Sequence, residues 1–255
     1  MTAATTHPTL AKVPAVTLGF WIIKILATTL GETGGDAVSM SMDLGYLVGT
    51  ANFMVLFAIC VAAQIAAKRF HPFLYWATIL ASTTVGTTLA DYADRSLGIG
   101  YTGGSALLAG LLIASLLLWK RALGNIAVDS VDNPRAEGFY WLTIMCSQTL
   151  GTALGDWTAD SAGLGYGGAA LIFGGAIALI ALAYRFTQFS RTWLFWLAFV
   201  LTRPLGAVVG DLLDKPLEHG GLALSRYGAT GALFAAIALL ILLLPQRPAS
   251  RAAAH

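Results

Sequence analysis

Four aspartates, Asp36, Asp91, Asp156 and Asp211, are set among mainly apolar residues at successive intervals of 55, 65 and 55 residues. A carboxylate inside a membrane-length apolar run is costly unless it meets a cation or a proton, so acids placed this way read as an ion pathway. Stepping back from each Asp in fours gives Asp36, Glu32, Thr28 and Lys24, then Asp91, Thr87 and Thr83, then Asp156, Thr152 and Gln148. The fourth series is Asp211, Ala207 and Arg203. Residues four apart share one face of a helix. Carboxylate, hydroxyl and amide oxygens suit hard divalent cations. The expected metal ligands are therefore Asp36, Asp91, Asp156 and Asp211. Glu32 is the expected proton-linked fifth acid, and Thr87, Thr152 and Gln148 the neutral oxygen donors. Lys24 and Arg203 are intramembrane cations, a costly placement that marks function by default. Arg203 falls between Lys24 and Glu32 in level, so an Arg203–Glu32 ion pair is expected.

The elements that carry these residues repeat. Four segments share the pattern Trp, nine residues, Gly, four residues, Asp: Trp21–Gly31–Asp36, Trp76–Gly86–Asp91, Trp141–Gly151–Asp156 and Trp196–Gly206–Asp211. A Gly-Tyr pair follows the first three, at Gly45-Tyr46, Gly100-Tyr101 and Gly165-Tyr166, while the fourth copy has a longer segment and only Tyr227. Self-similarity at such a period means stacked copies of one supersecondary unit. Each unit is long enough for two membrane-crossing helices, so all four units enter the membrane the same way. Each Asp then lies about 22 Å beyond its Trp along an odd-numbered helix.

At these residues the chain resembles a bacterial family of membrane proteins with four tandem two-helix repeats, each with a characteristic Trp, catalogued as a domain of unknown function. The resemblance implies the repeat architecture and no activity. A second resemblance is local. Glu32-Thr33-Gly34-Gly35-Asp36 is similar to the Glu-x-Gly-Asp signature of calcium/manganese–proton exchangers, with one residue more between the acids. It implies exchange of calcium or manganese for protons.

Composition agrees with lipid as the solvent. Of 255 residues, 57% are hydrophobic and 11% charged, against about 25% charged in soluble domains. Eight apolar stretches run near 15–36, 44–66, 73–92, 105–119, 139–157, 167–184, 193–213 and 228–244. The expected fold is an all-α polytopic membrane protein of eight transmembrane helices, four parallel two-helix repeats pseudo-symmetric about the membrane normal. Residues 1–13 form an N-terminal tail, 14–119 repeats one and two, 120–138 a linker, 139–245 repeats three and four, and 246–255 a C-terminal tail. Ten Lys and Arg fall on the side of the two tails and three on the other. That bias predicts cytoplasmic termini in a bacterial inner membrane.

Three further readings complete the set. The Trp residues, and the Tyr residues of the Gly-Tyr pairs, are expected as interfacial anchors. The second acids Asp43, Asp94, Asp160 and Asp214 are expected to be solvated, or to draw cations to the mouth. Cys60 and Cys146 are expected as small buried hydrophobes. No nucleophile–base pair, phosphate loop or cofactor motif is present, so neither an enzyme nor a cofactor is expected, and no nucleic-acid partner. The leading expectation is a secondary transporter, an exporter, of a divalent cation such as manganese, coupled to protons. The alternatives are a carrier of a small organic ion, with Lys24 and Arg203 holding a carboxylate, and a non-transporting scaffold in which the repeat is packing alone.

Overall fold

The computed structural model describes residues 11–249, and the tail residues on either side, Arg251 among them, lie outside the described residues. Among the described residues are eight long helices. They are α1 (Leu18–Asp36), α2 (Gly45–Ala66), α3 (Pro72–Asp91), α4 (Tyr101–Leu123), α5 (Pro134–Asp156), α6 (Gly165–Phe186), α7 (Arg191–Asp214) and α8 (Arg226–Leu243). Local chemistry sets several ends. Thr17 accepts from the Phe20 amide, Asn133 from that of Ala136 and Ser225 from that of Gly228, each satisfying an orphan N–H of a first turn. Gly45, Gly100 and Gly165 all have positive φ, between 64° and 76°, where the chain turns into α2, α4 and α6. That backbone conformation is the reason each Gly-Tyr pair begins with Gly. The linker is shorter than its polar composition suggests. α4 runs on to Leu123 and α5 starts at Pro134, because Gly124 takes the left-handed C-cap conformation and Asn133-Pro134 is an N-cap followed by a first-turn proline.

α2, α4, α6, α7 and α8 are long and apolar enough to cross a membrane. α1, α3 and α5 carry the polar stripes, which lower their mean hydropathy. Helix packing explains how those stripes are accommodated. α1 packs on α3, α3 on α5, α5 on α7 and α7 on α1, a closed inner ring of the four odd helices. Each even helix lies against the odd helix of the following repeat: α2 on α3, α4 on α5, α6 on α7 and α8 on α1. The even helices present large apolar side chains outward, such as Val55, Ile59, Leu117, Leu171, Leu179 and Leu242.

The repeat glycines make the inner ring possible. A Cβ added to Gly31 would lie 2.2 Å from Thr83, one on Gly151 2.2 Å from Arg203, and one on Gly206 2.2 Å from Thr28, with Gly86 meeting Gln148 at 2.8 Å. In each case the intruder comes from the next repeat, eight residues before that repeat's Asp. One rule therefore runs round the whole ring. The Gly of each Trp–Gly–Asp unit is the hollow that receives the polar side chain of its neighbour, the close approach that small residues allow in membranes.

Candidate functional site

The i, i+4 faces of the four odd helices meet on the ring axis and stack into layers. The first holds Phe20, Tyr75, Tyr140 and Phe195, and the second Lys24, Ile79, Ile144 and Phe199. The third holds Thr28, Thr83, Gln148 and Arg203, the fourth Glu32, Thr87, Thr152 and Ala207, and the fifth the four Asp residues. All twenty are buried, the most exposed being Phe195 at 9%.

The aromatic layer closes one end. Phe20 packs on Trp76, Tyr75 on Trp141, Tyr140 on Trp196 and Phe195 on Trp21, with ring centroids 5.5–6.2 Å apart. Again each contact links one repeat to the next. The Tyr75 and Tyr140 hydroxyls meet at 2.6 Å. This corrects the reading of the repeat Trp residues as interfacial anchors. Trp76, Trp141 and Trp196 are no more than 2% exposed and Trp21 is partly buried, because each stacks on an aromatic residue of the preceding repeat rather than on lipid.

Arg203 ties the four helices together in the middle layers. It reaches from α7 through the space left by Ala207. Its Nη2, with two N–H bonds to share, lies within hydrogen-bonding distance of Glu32 Oε2 on α1 at 3.0 Å, Thr87 Oγ1 on α3 at 2.6 Å and Thr152 Oγ1 on α5 at 2.5 Å. Its Nε and Nη1 and the Oε1 of Gln148 are buried with no hydrogen-bond partner. So is Nζ of Lys24, which lies 4.2 Å from the centroid of the Phe199 ring. Gln148 Nε2 is 3.5 Å from Ser82 Oγ.

The aspartate layer is not a symmetrical set of four free carboxylates. Lys215 Nζ is 2.6 Å from Asp36 Oδ2 and 3.1 Å from Asp211 Oδ1. Arg95 is 2.8 Å from Asp91 and 3.8 Å from Asp156. Each cation stands four residues after its own Asp and bridges to the Asp of the next repeat, and the two are 120 residues apart. Glu32, Asp36 and Asp211 form one group whose ligand oxygens lie within 4.8 Å of one another. Asp91 and Asp156 are bridged separately by Arg95. Thr87 and Thr152 meet at Arg203 rather than beside the aspartates, and Gln148 lies a layer deeper. Burial alone would lower the pKa of Lys215, but Asp211 and Asp36 raise it above the ordinary lysine value and so favour the ammonium form.

Arg95 and Lys215 are the residues that reading by apolar runs misses. Both fall in short polar segments and count as loop charges. The signal that finds them is the i, i+4 spacing from Asp91 and Asp211 repeated 120 residues later. The second acids divide. Asp43 and Asp160 are exposed as expected. Asp94 and Asp214 are 9% and 7% exposed, which corrects their reading as solvated. Asp214 accepts from Arg226 at 3.0 Å, and Asp94 lies against the backbone hollow at Gly104. Tyr46, Tyr101 and Tyr166 each lie close enough to the Asp of the next repeat to interact with it electrostatically. They belong to the rim of the site, a role their expected place at the interface did not include. Three π-helical turns, Ala37–Ser41, Tyr92–Ser96 and Trp157–Ser161, directly follow Asp36, Asp91 and Asp156. Such wide turns are common at functional sites. α7 alone continues as α-helix past its Asp to Asp214.

Four segments, residues 19–70, 74–124, 139–190 and 194–247, match the model of a Repeat of Unknown Function (DUF347). Comparison with curated proteins and with solved structures yields no match. The local resemblance of Glu32–Asp36 to an exchanger signature has no counterpart among these comparisons.

Proposed function

The chain belongs to the DUF347 repeat family, and from that premise we propose that it is a secondary transporter of a divalent metal cation in a bacterial inner membrane. The observation that carries the reading is the convergence of Glu32, Asp36 and Asp211, three buried acids whose ligand oxygens lie within 4.8 Å of one another. Oxygen-only ligands of this kind favour magnesium, calcium or manganese over softer metals. Asp36 Oδ1, which is buried without a hydrogen-bond partner and keeps its lone pairs free, adds to it. Protons compete for the same carboxylates, which supplies a means of coupling proton flow to metal movement. The reading takes manganese as the cargo and export as the direction.

In this reading all eight helices span the bilayer as four units about an axis along its normal. The ring of odd helices and the one-step offset of the even helices support that symmetry. Backbone bonds from Ala11 and Ala15 to Ala249 and Arg247 join the segment before α1 to the segment after α8, which agrees with an even number of spans. The loop charge bias places that end in the cytoplasm. The aromatic layer is then a closed inner gate, and the aspartates face the outside.

A second reading has its own observation. Lys24 Nζ and Arg203 Nε and Nη1 are buried donors without acceptors, and a small organic carboxylate would satisfy them. The metal content of cells lacking or overproducing the protein separates the two. A change confined to one divalent metal supports the cation reading. An altered sensitivity to an organic anion with unchanged metals supports the second, and no change in either leaves the repeat as a membrane scaffold.

A further inference from the structure

Four residues after each repeat Asp, the chain places Met40, Arg95, Asp160 and Lys215. Two of these positions carry cations, and the two are not equivalent. Arg95 spreads its charge over a planar guanidinium, is 36% exposed, and bridges Asp91 and Asp156. Lys215 is 11% exposed and brings a compact ammonium within 2.6 and 3.1 Å of Asp36 and Asp211, the pair that Glu32 joins. An ammonium is a hydrated point charge on a flexible stem, the side-chain cation most like a metal ion and the easiest to exchange for one.

The fourth repeat departs from the others where it must in order to hold this lysine. α7 has no π-helical turn before Lys215, and the chain after it folds back on the helix end. Leu222 N–H donates to Leu212 O at 2.7 Å, Leu224 N–H to Leu213 O at 2.8 Å, and Ala223 N–H to Lys215 O at 2.9 Å. A Cβ on Gly221 would lie 2.1 Å from the Lys215 carbonyl oxygen, so the returning chain presses directly on the Lys215 backbone. The long His219–Arg226 segment, which breaks the sequence repeat, is thus the device that fixes the backbone of Lys215 beneath its side chain.

We propose that Lys215 is a tethered cation that occupies the Glu32–Asp36–Asp211 site in the absence of cargo and is displaced by the incoming divalent metal. The inference rests on the cation reading of that site. Formal charge supports it. The three acids face the Lys215 ammonium and the Arg203 guanidinium, which leaves one negative charge. Arg226 also approaches Asp36, at 3.9 Å, but is paired with Asp214. Exchanging the ammonium for a divalent ion leaves the cluster neutral, whereas adding the ion beside the ammonium makes it positive. The lysine also keeps the site from standing open as unpaired buried carboxylates during the return step of a transport cycle.

The test uses the full-length protein purified in detergent, with the thermal unfolding midpoint read across series of manganese, magnesium and calcium chloride. Lys215→Met should melt below wild type without metal. It should then gain stability from a divalent ion at a concentration about tenfold lower, because the site no longer pays for ejecting the ammonium. Lys215→Arg keeps the charge in a fork that is harder to displace, and should need at least as much metal as wild type. Arg95→Met should gain no metal response over wild type. If Lys215→Met responds to metal only as wild type does, or stays unfolded in saturating metal, the tethered-cation proposal fails while the wild-type response keeps the metal site. If Lys215→Arg or Arg95→Met gains affinity as Lys215→Met does, the proposal also fails. If neither wild type nor Lys215→Met responds to any of the three metals, the metal site itself falls and the proposal with it.

Discussion

Arg203 on α7 and Glu32 on α1 form an ion pair of 3.0 Å in which the guanidinium is fully buried. The same nitrogen also lies within hydrogen-bonding distance of Thr87 and Thr152, so one side chain joins all four helices of the inner ring. Breaking a buried pair by removing one partner costs about 3–5 kcal/mol, because the other charge is left unpaired.

Arg203→Met is therefore expected to destabilise the protein by about that amount. Adding Glu32→Gln should recover part of the loss. The measurement is a double-mutant cycle on unfolding in detergent. Stabilities that simply add would show that the pair contributes nothing beyond its separate residues.

The glycine hollows give a prediction about packing alone. Gly206→Ala places a Cβ 2.2 Å from Thr28 Oγ1 and 2.7 Å from the Thr28 backbone carbon. Overpacking of this kind costs about 1–3 kcal/mol. Gly231→Ala on α8 meets nothing within 4 Å and should be neutral or stabilising by up to about 1 kcal/mol through helix propensity. Equal stabilities for the two variants would remove the hollow as the reason for the repeat Gly.

The acids should differ in their effect on the cation. Asp211→Asn removes a charge from the Glu32–Asp36–Asp211 group, whereas Asp156→Asn removes one from the Arg95 bridge. Asp211→Asn should weaken metal stabilisation more than Asp156→Asn, with both variants still inserted in the membrane. Comparable losses would point to a shared four-acid site instead.

Metal stabilisation of the wild type should fall as pH falls. Each proton taken up neutralises an oxygen that the metal needs, so binding is favoured on the alkaline side of the titration and lost on the acid side. Thermal midpoints at two pH values in the same metal series test this. A response that is the same at both would detach the metal from the carboxylates.

Topology has a direct test. Reporter fusions after Asp94 and at the C-terminus should report opposite sides, with the C-terminus in the cytoplasm. A periplasmic signal from the C-terminal fusion would reverse the orientation assigned from the loop charges.

Much of the architecture is legible in the sequence because it depends on period and solvent. The Trp–Gly–Asp spacing names the odd helices, the apolar runs between polar breaks name the even ones, and steps of four from each Asp name the faces that meet on the axis. Helix geometry makes those inferences local. The level of Arg203 between Lys24 and Glu32 likewise needs only the rise per residue. Spacing does not give the partners across helices. The sequence presents four equal aspartates, yet Arg95 and Lys215 divide them into two bridged pairs. That division depends on which neighbour each odd helix packs against and on where the chain turns after Asp91 and Asp211.

Residue order is enough for the unit, its fourfold repetition and the polar face of each odd helix, since a buried polar stripe in an apolar helix must turn inward. How the copies fit together comes from the packing of the folded chain. The hollow at each Gly receives the next repeat's side chain, each Trp stacks on the preceding repeat's aromatic residue, and Lys215 reaches Asp36 from 179 residues away. These are contacts between helices, fixed by the shape of the closed ring, and the order of residues along one helix carries no record of them.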